Sequence, residues 1–307
     1  MSIQDFELFL MELIHSFDNL FVNFSVFGST IVSWFWWLIT QFGDKIVIFG
    51  IFATYYWCIN KEKGEKMAFA IFSSIMLNSV LKMFVGRKRP FQIDGHEHLR
   101  KVTFLDNPGG SSFPSGHSQN ASTLFSSIAL HERSIVTVVI AILFITLVPI
   151  SRVYLGVHFP TDTIVGVLLG LFVSYIAYLI MTYCYNHKFI FYIGMIVLST
   201  PFLFYNPASS AAHVVFTGFG LLSGFVLGIF IENKFINFSC EVSIKTKILR
   251  IIIGVLIVGC VYGIYTLGKL ILPDIDLVSN IYSAVGYFLI SFISFGIIPF
   301  IFKKQKR

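Results

Sequence analysis

The chain has 307 residues, 56% of them hydrophobic and 12% charged, with a formal net charge of +6 and a mean hydropathy of +0.80. A soluble domain carries about 25% charged residues, so the composition excludes one and describes a polytopic membrane protein. Nor does the positive balance point to nucleic acid, because the basic residues fall in short loops between apolar stretches.

Residues 1–17 are acidic and lack a basic n-region followed by a small-residue cleavage site. Insertion is therefore expected to use the first apolar segments themselves. Windows of about 20 apolar residues mark helices that cross a bilayer. In chain order they predict spans at 20–40, 46–58, 67–85, 115–130, 135–150, 161–183, 189–204, 211–231, 248–267 and 277–302. The first is interrupted by Asn23, Ser25, Ser29, Thr30 and Ser33. Its run Trp34-Phe35-Trp36-Trp37 suits a crossing or a helix lying in the interface. The fold class expected is all-α. No soluble domain is expected between spans; the longest extramembrane segment, 91–113, contains the turn-rich run Asn107-Pro108-Gly109-Gly110. Gly166-x3-Gly170 and the ladder Gly220-x3-Gly224-x3-Gly228 read as faces where helices pack closely. Cys58, Cys184, Cys240 and Cys260 have no metal-ligand spacing and are expected to be free thiols.

Charge fixes the expected sides. One set of loops holds Lys61, Lys63, Lys66, Arg133, Lys188, Lys234, Lys245, Lys247, Arg250 and the tail Lys303, Lys304, Lys306 and Arg307. The opposite set holds Lys45, Lys269, Lys82, Arg87, Lys88, Arg89, Arg100, Lys101 and Arg152, and is smaller. The positive-inside rule makes the first set cytoplasmic. The C-terminus is then cytoplasmic, and the polar motifs described next are extracytoplasmic.

Those motifs are Lys82-x6-Arg89-Pro90, Pro114-Ser115-Gly116-His117 and Ser151-Arg152-x5-His158-x3-Asp162. Charge in a lipid-embedded chain is costly and seldom kept without a use. The seven-residue spacing puts Lys82 and Arg89 on nearly one helical face where the third span meets the surface, with Pro90 ending the helix. A phosphate is well served by one point cation and one planar fork. Taken alone, the same pair reads as two cations snorkelling at a helix end. Pro114 suits a first helical turn; the free N–H groups there, the Ser115 hydroxyl and the bare Gly116 backbone form an anion site, with His117 placed to donate a proton. Asp162 follows His158 at i+4 on one helical face. It can accept the Nδ1 proton and hold Nε2 as a bare nucleophile, as a carboxylate orients the histidine of a Ser-His-Asp triad. Arg152 faces the same pocket. Each motif has an ordinary structural reading by itself, a surface histidine or a His–Asp pair. Three motifs on one membrane face do not. His96-x-His98 with Glu97 matches no strong metal motif.

These residues carry a family resemblance. The chain resembles the type 2 phosphatidic acid phosphatase (PAP2) superfamily, whose pattern is KxxxxxxRP, PSGH and SRxxxxxHxxxD, and every defining position matches between Lys82 and Asp162. The resemblance implies a six-helix catalytic core, taken as residues 1–185. The four further spans of 186–307 form an extension that could dimerise, shape a substrate groove or bind a partner. It also implies that His158 attacks phosphorus and forms a phosphohistidine, Asp162 orients it, and His117 protonates the leaving oxygen. Lys82, Arg89, Arg152, Ser115 and Gly116 would neutralise the phosphoryl oxygens, with no metal and no cofactor.

The function expected is hydrolysis of a membrane lipid phosphate, probed by phosphatidic acid, phosphatidylglycerol phosphate, a polyprenyl diphosphate or a sphingoid-base phosphate. The cell membrane is the expected location. A phosphotransferase in which an alcohol replaces water stands beside this reading. A transporter is the alternative from another class, although transport sites tend to lie at the bilayer midplane. The vanadium haloperoxidases share the constellation but are soluble.

Overall fold

The computed structural model describes residues 2–22, 26–101, 110–207, 212–272 and 275–303, with the backbone alone for 17–22 and 26–30. Asp106, most of the turn-rich run at 107–110, Asn23, Ser25 and the basic tail from Lys304 lie outside the described residues. The regular structure of the described residues is all helical, with no strand among them.

The helices are α1 (Ile3–Val22), α2 (Val26–Gln41), α3 (Lys45–Thr54), α4 (Lys61–Val85), α5 (Gly116–Glu132) and α6 (Ile135–Tyr154). They continue with α7 (Pro160–Tyr183), α8 (Lys188–Leu203), α9 (His213–Ile231), α10 (Ile244–Lys269), α11 (Asp276–Phe292) and α12 (Ile298–Lys303). Among the described residues, six helical segments are long and apolar enough to cross a bilayer, against the ten spans expected. The differences have local causes. The first two expected spans are two arms, Ile31–Gln41 and Lys45–Ile59, bent by 49° at a short break, so they form one broken span or a re-entrant loop. Helix α5 has 17 residues, about 25 Å at 1.5 Å per residue, and its buried stretch is rich in serine, threonine, asparagine and glutamine. Helix α8 has 16 residues and contains Pro201 near its end. Helix α1 is an element that hydropathy did not predict. It begins on a reciprocal cap, Ser2 N–H to Asp5 Oδ2 at 2.8 Å and Asp5 N–H to Ser2 Oγ at 3.1 Å.

Contacts divide the chain into two compact units. The first comprises Met1–Ile48 and Leu81–Tyr175. In it α5 packs on α6, and α2 on α6. Gly166 and Gly170 let α7 approach α5 so closely that a Cβ at Gly166 would meet Ser115 O at 2.7 Å and one at Gly170 would meet Gln119 O at 2.5 Å. Ser126 and Ser174 share a hydrogen bond of 2.6 Å across the same seam. The tryptophan run turns partly inward: Trp36 and Trp37 pack on Tyr154, Leu155 and Val157, while Trp34 and Phe35 are exposed.

The second unit comprises Phe49–Val80 and Ile176–Arg307. Its glycine ladder packs as expected, since a Cβ at Gly220 would strike Ala284 O, one at Gly224 would strike Phe288 O, and one at Gly228 would meet Phe295 Cβ at 2.9 Å. Phe295 is the aromatic hub, 5.8 Å from Phe52, 5.1 Å from Tyr56 and 5.1 Å from Phe225, centroid to centroid. The four cysteines are free thiols.

Candidate active site

The predicted phosphate residues belong to the first unit, and the turns that precede them set their positions. Helix α4 ends at Val85 because Gly86 adopts φ +61° and returns its N–H to Lys82 O at 3.3 Å, a glycine helix stop. This corrects the expectation that Lys82 and Arg89 share a helical face. Lys82 stays in the last turn of α4, and Arg89 has extended backbone just ahead of the 3-10 turn Pro90–Gln92. Chain folding brings both cations to neighbouring backbone. Lys82 Nζ donates to Ser111 O at 2.5 Å. Arg89 Nη1 donates to Val157 O at 2.9 Å, and its Nε to Gly110 O at 3.3 Å.

Ser115 is the N-cap of α5, and Pro114 stands before it rather than in the first turn. The Ser115 hydroxyl accepts from Ser118 N–H at 3.4 Å and from Ser118 Oγ at 2.9 Å, so it is engaged in capping. Its own N–H donates to Asp162 O at 2.9 Å, which ties the start of α5 to the start of α7. The first-turn N–H groups of Gly116 and His117 follow, and helix starts leave such groups without intrahelical partners. His117 is partly exposed, its Nε2 3.9 Å from Asp44 Oδ2. It lies within electrostatic reach of Arg152, His158, Arg89 and Lys45.

Arg152 closes α6, is 1% exposed, and donates from Nη1 to Thr40 Oγ1 at 3.0 Å. The chain then turns through Gly156 at φ +73°, where a Cβ would collide with Leu99 O. That turn delivers His158 just before α7. Asp162, in the first turn of α7, accepts the Phe159 N–H at Oδ2 over 2.9 Å, the back half of a capping box.

His158 is 2% exposed and Asp162 is fully buried. The Nδ1 to Oδ2 separation is 3.5 Å, an i,i+4 pair at the long limit of a hydrogen bond. The Ser112 hydroxyl closes a triangle with them, 3.3 Å from His158 Nδ1 and 2.5 Å from Asp162 Oδ2. On the other side Arg89 Nη1 is 3.2 Å from His158 Nε2. A guanidinium only donates, so Nε2 accepts and carries the lone pair, while Nδ1–H faces Ser112. Burial, then the cations Arg89, Lys82 and Arg152, push the His158 imidazole well below its ordinary pKa. It is neutral at physiological pH, with its bare nitrogen facing the cations.

Sequence reading missed three parts of this arrangement: Ser112, Arg87 and Glu7. Arg87 Nη1 contacts Asp162 Oδ1 at 2.7 Å, and its Nη2 contacts Glu7 Oε2 at 2.7 Å. The signal for Glu7 was a lone acid on an otherwise apolar helical face. The signal for Ser112 was a small polar pair, Ser111-Ser112, leading into the second motif. His96 lies apart from this cluster, its Nε2 3.4 Å from Glu12.

Fold and site together define an integral membrane protein with a buried, neutral histidine held among cations. Residues 65–186 match the PAP2 superfamily, and residues 216–306 match the transmembrane extension of PAP2 superfamily phosphatases. The chain belongs to the PAP2 superfamily. It is similar to phosphatidylglycerophosphatase B of Bacillus subtilis, 38% identical over 33% of this chain and 49% of that protein. The lipid A 1-phosphatase of Rhizobium johnstonii is 28% identical over 39% of this chain and 49% of its own. The undecaprenyl-diphosphatase of Sulfolobus acidocaldarius is 31% identical over 38% and 54%. The chain thus spans about half the length of these curated relatives.

Proposed function

We propose that this protein is a metal-independent lipid phosphate phosphatase working through a phosphohistidine on His158. The observation that carries the reading is the seating of His158, with Nδ1 toward Ser112 and Asp162 and Nε2 toward Arg89. A phosphate oxygen that takes the Arg89 N–H brings phosphorus in front of the Nε2 lone pair. Lys82 and Arg152 are electrostatic neighbours of His158 and would neutralise the equatorial oxygens as the bond to the leaving oxygen breaks. Gly116 and Ser115, at the start of α5, add helix-end N–H groups and a cap to that cradle. His117, on the next position, gives a proton to the leaving oxygen from its imidazolium form and then, as the neutral imidazole, takes one from the attacking water. Asp162 stabilises the imidazole as it becomes positively charged.

The names of the relatives, which span a glycerophospholipid, lipid A and a polyprenyl diphosphate, support a lipid carrying a phosphomonoester or diphosphate. Within the proposal, residues 1–185 hold the machinery and 186–307 are the extension. The site opens on the extracytoplasmic side of the cell membrane, the orientation supported by the lysine and arginine distribution.

The test is phosphate release in chelator from phosphatidic acid, phosphatidylglycerol phosphate, undecaprenyl diphosphate and a sphingoid-base phosphate, beside the His158→Ala variant. Release from at least one lipid that the variant loses is expected. Release that requires added metal, or that persists in the variant, contradicts the mechanism. A phosphorylated alcohol in place of free phosphate would decide for the transferase.

A further inference from the structure

We infer that Glu7, on the N-terminal helix α1, is a positioning residue for His158 that acts through Arg87 and Asp162; the inference rests on the phosphatase reading above. Helix α1 lies outside the residues that match the family, which begin at 65. Its inward stripe is Glu7, Leu8, Met11 and His15, spaced as one helical face. Leu8 and Met11 pack with Leu99 and Phe159, and His15 Nε2 lies 3.0 Å from Tyr154 O. The helix is therefore docked against the turn that carries His158.

Within that stripe Glu7 is 3% exposed, and a buried carboxylate is costly unless its oxygens are matched. Both are. Oε1 accepts the Thr161 N–H at 2.8 Å, in the first turn of α7, where helix N–H groups have no intrahelical partner. Oε2 accepts from Arg87 Nη2 at 2.7 Å. The other arm of Arg87 reaches Thr161 Oγ1 at 2.8 Å and Asp162 Oδ1 at 2.7 Å, with the guanidinium 3.9 Å from the Phe159 ring centre. Asp162 is thereby held at both oxygens, Oδ1 by Arg87 and Oδ2 by Ser112 and the Phe159 N–H.

The chain Glu7–Arg87–Asp162–Ser112–His158 has two consequences. It fixes which carboxylate oxygen faces Ser112, and so the direction of the Nδ1 proton. It also shares one guanidinium between two carboxylates, so the charge of Asp162 stays available to the imidazole as that ring turns cationic. A lysine at position 87 could not bridge in this way, because a single ammonium lacks the fork.

The test uses the full chain in detergent micelles. Kinetics are measured on whichever of phosphatidic acid, phosphatidylglycerol phosphate and undecaprenyl diphosphate the wild type hydrolyses fastest, below the melting temperature of every variant. E7Q is expected to lower kcat roughly tenfold to a hundredfold with KM nearly unchanged, the scale of groups that orient a reacting ligand from behind. E7Q combined with S112A should lose much less than the product of the two single losses, because both act on Asp162. E12Q, which alters an exposed carboxylate on the same helix that faces His96, should keep the wild-type kcat. Should E7Q fail to fold, R87K carries the same expectation. Wild-type kcat in E7Q beside an inactive H158A overturns the inference alone, and so do multiplicative losses in the double variant. A wild type inert on all three lipids, or an active H158A, overturns the phosphatase reading and the inference with it.

Discussion

The two units pair their buried carboxylates in different ways. In the second, carboxylates meet ammonium groups. Glu65 is 2.7 Å from Lys188 and also receives the hydroxyls of Tyr185 and Tyr192 at 3.0 and 2.7 Å, and Glu232 is 3.1 Å from Lys61. In the first, Lys82 and Arg89 bond to backbone carbonyls and Arg152 to a threonine hydroxyl. Neutral acceptors hold a cation in place without cancelling its charge. Two buried carboxylates at this cluster, Asp162 and Glu7, share Arg87. Arg250 in the second unit is likewise held by carbonyls, those of Trp57, Ser239 and Phe302, but it is a single cation, whereas Lys82, Arg89 and Arg152 all act on His158.

The sharpest break of that comparison is His158→Ala, which should lower kcat by about a thousandfold or more while inorganic phosphate still binds. Next, Arg89→Ala should cost about a hundredfold to a thousandfold in kcat, the scale of losing one donor to developing charge. Glu65→Gln should do the reverse: destabilise by about 3–5 kcal/mol through an uncompensated buried Lys188, read as a fall in melting temperature, yet leave kcat intact below it. Replacing Glu65 and Lys188 together by apolar residues should restore most of that stability. Gly224→Val, which drives a side chain into Phe288 O, should cost about 1–3 kcal/mol with no change in kcat.

A smaller effect lies in the pH profile. A histidine whose pKa is lowered on folding stays neutral, and so nucleophilic, as pH falls through its ordinary value of 6.5. The acid limb of kcat/KM that belongs to His158 should lie below that value. The same shift makes folding less favourable once pH drops below 6.5, because the unfolded chain then binds the proton more readily. Removing one of those cations in Lys82→Met should move the limb upward.

Much of this was legible in the sequence, for identifiable reasons. Hydropathy located α4, α6, α7, α9, α10 and α11, because a span must be apolar along its whole length. Spacing located the glycine seams, because only glycine lets backbones approach that closely. It misplaced Arg89, since seven-residue spacing implies one face only while the helix continues, and Gly86 stops it. The approach of α5 to α7 put Ser115 next to Asp162 in space, a long-range contact that no local pattern encodes. Helix α1 escaped because Asp5, Glu7 and Glu12 lower its hydropathy. Of these acids, Glu7 is the one buried against Arg87.

The central claim is that His158 Nε2 takes the phosphoryl group. Rapid acid-free quenching of the enzyme during turnover of a radiolabelled lipid phosphate, followed by peptide mapping, tests it directly. The account predicts an acid-labile phosphate on His158 that forms and decays at the rate of turnover and is absent from His158→Ala. Turnover with no phosphorylated histidine, or with label on His117 instead, would contradict it.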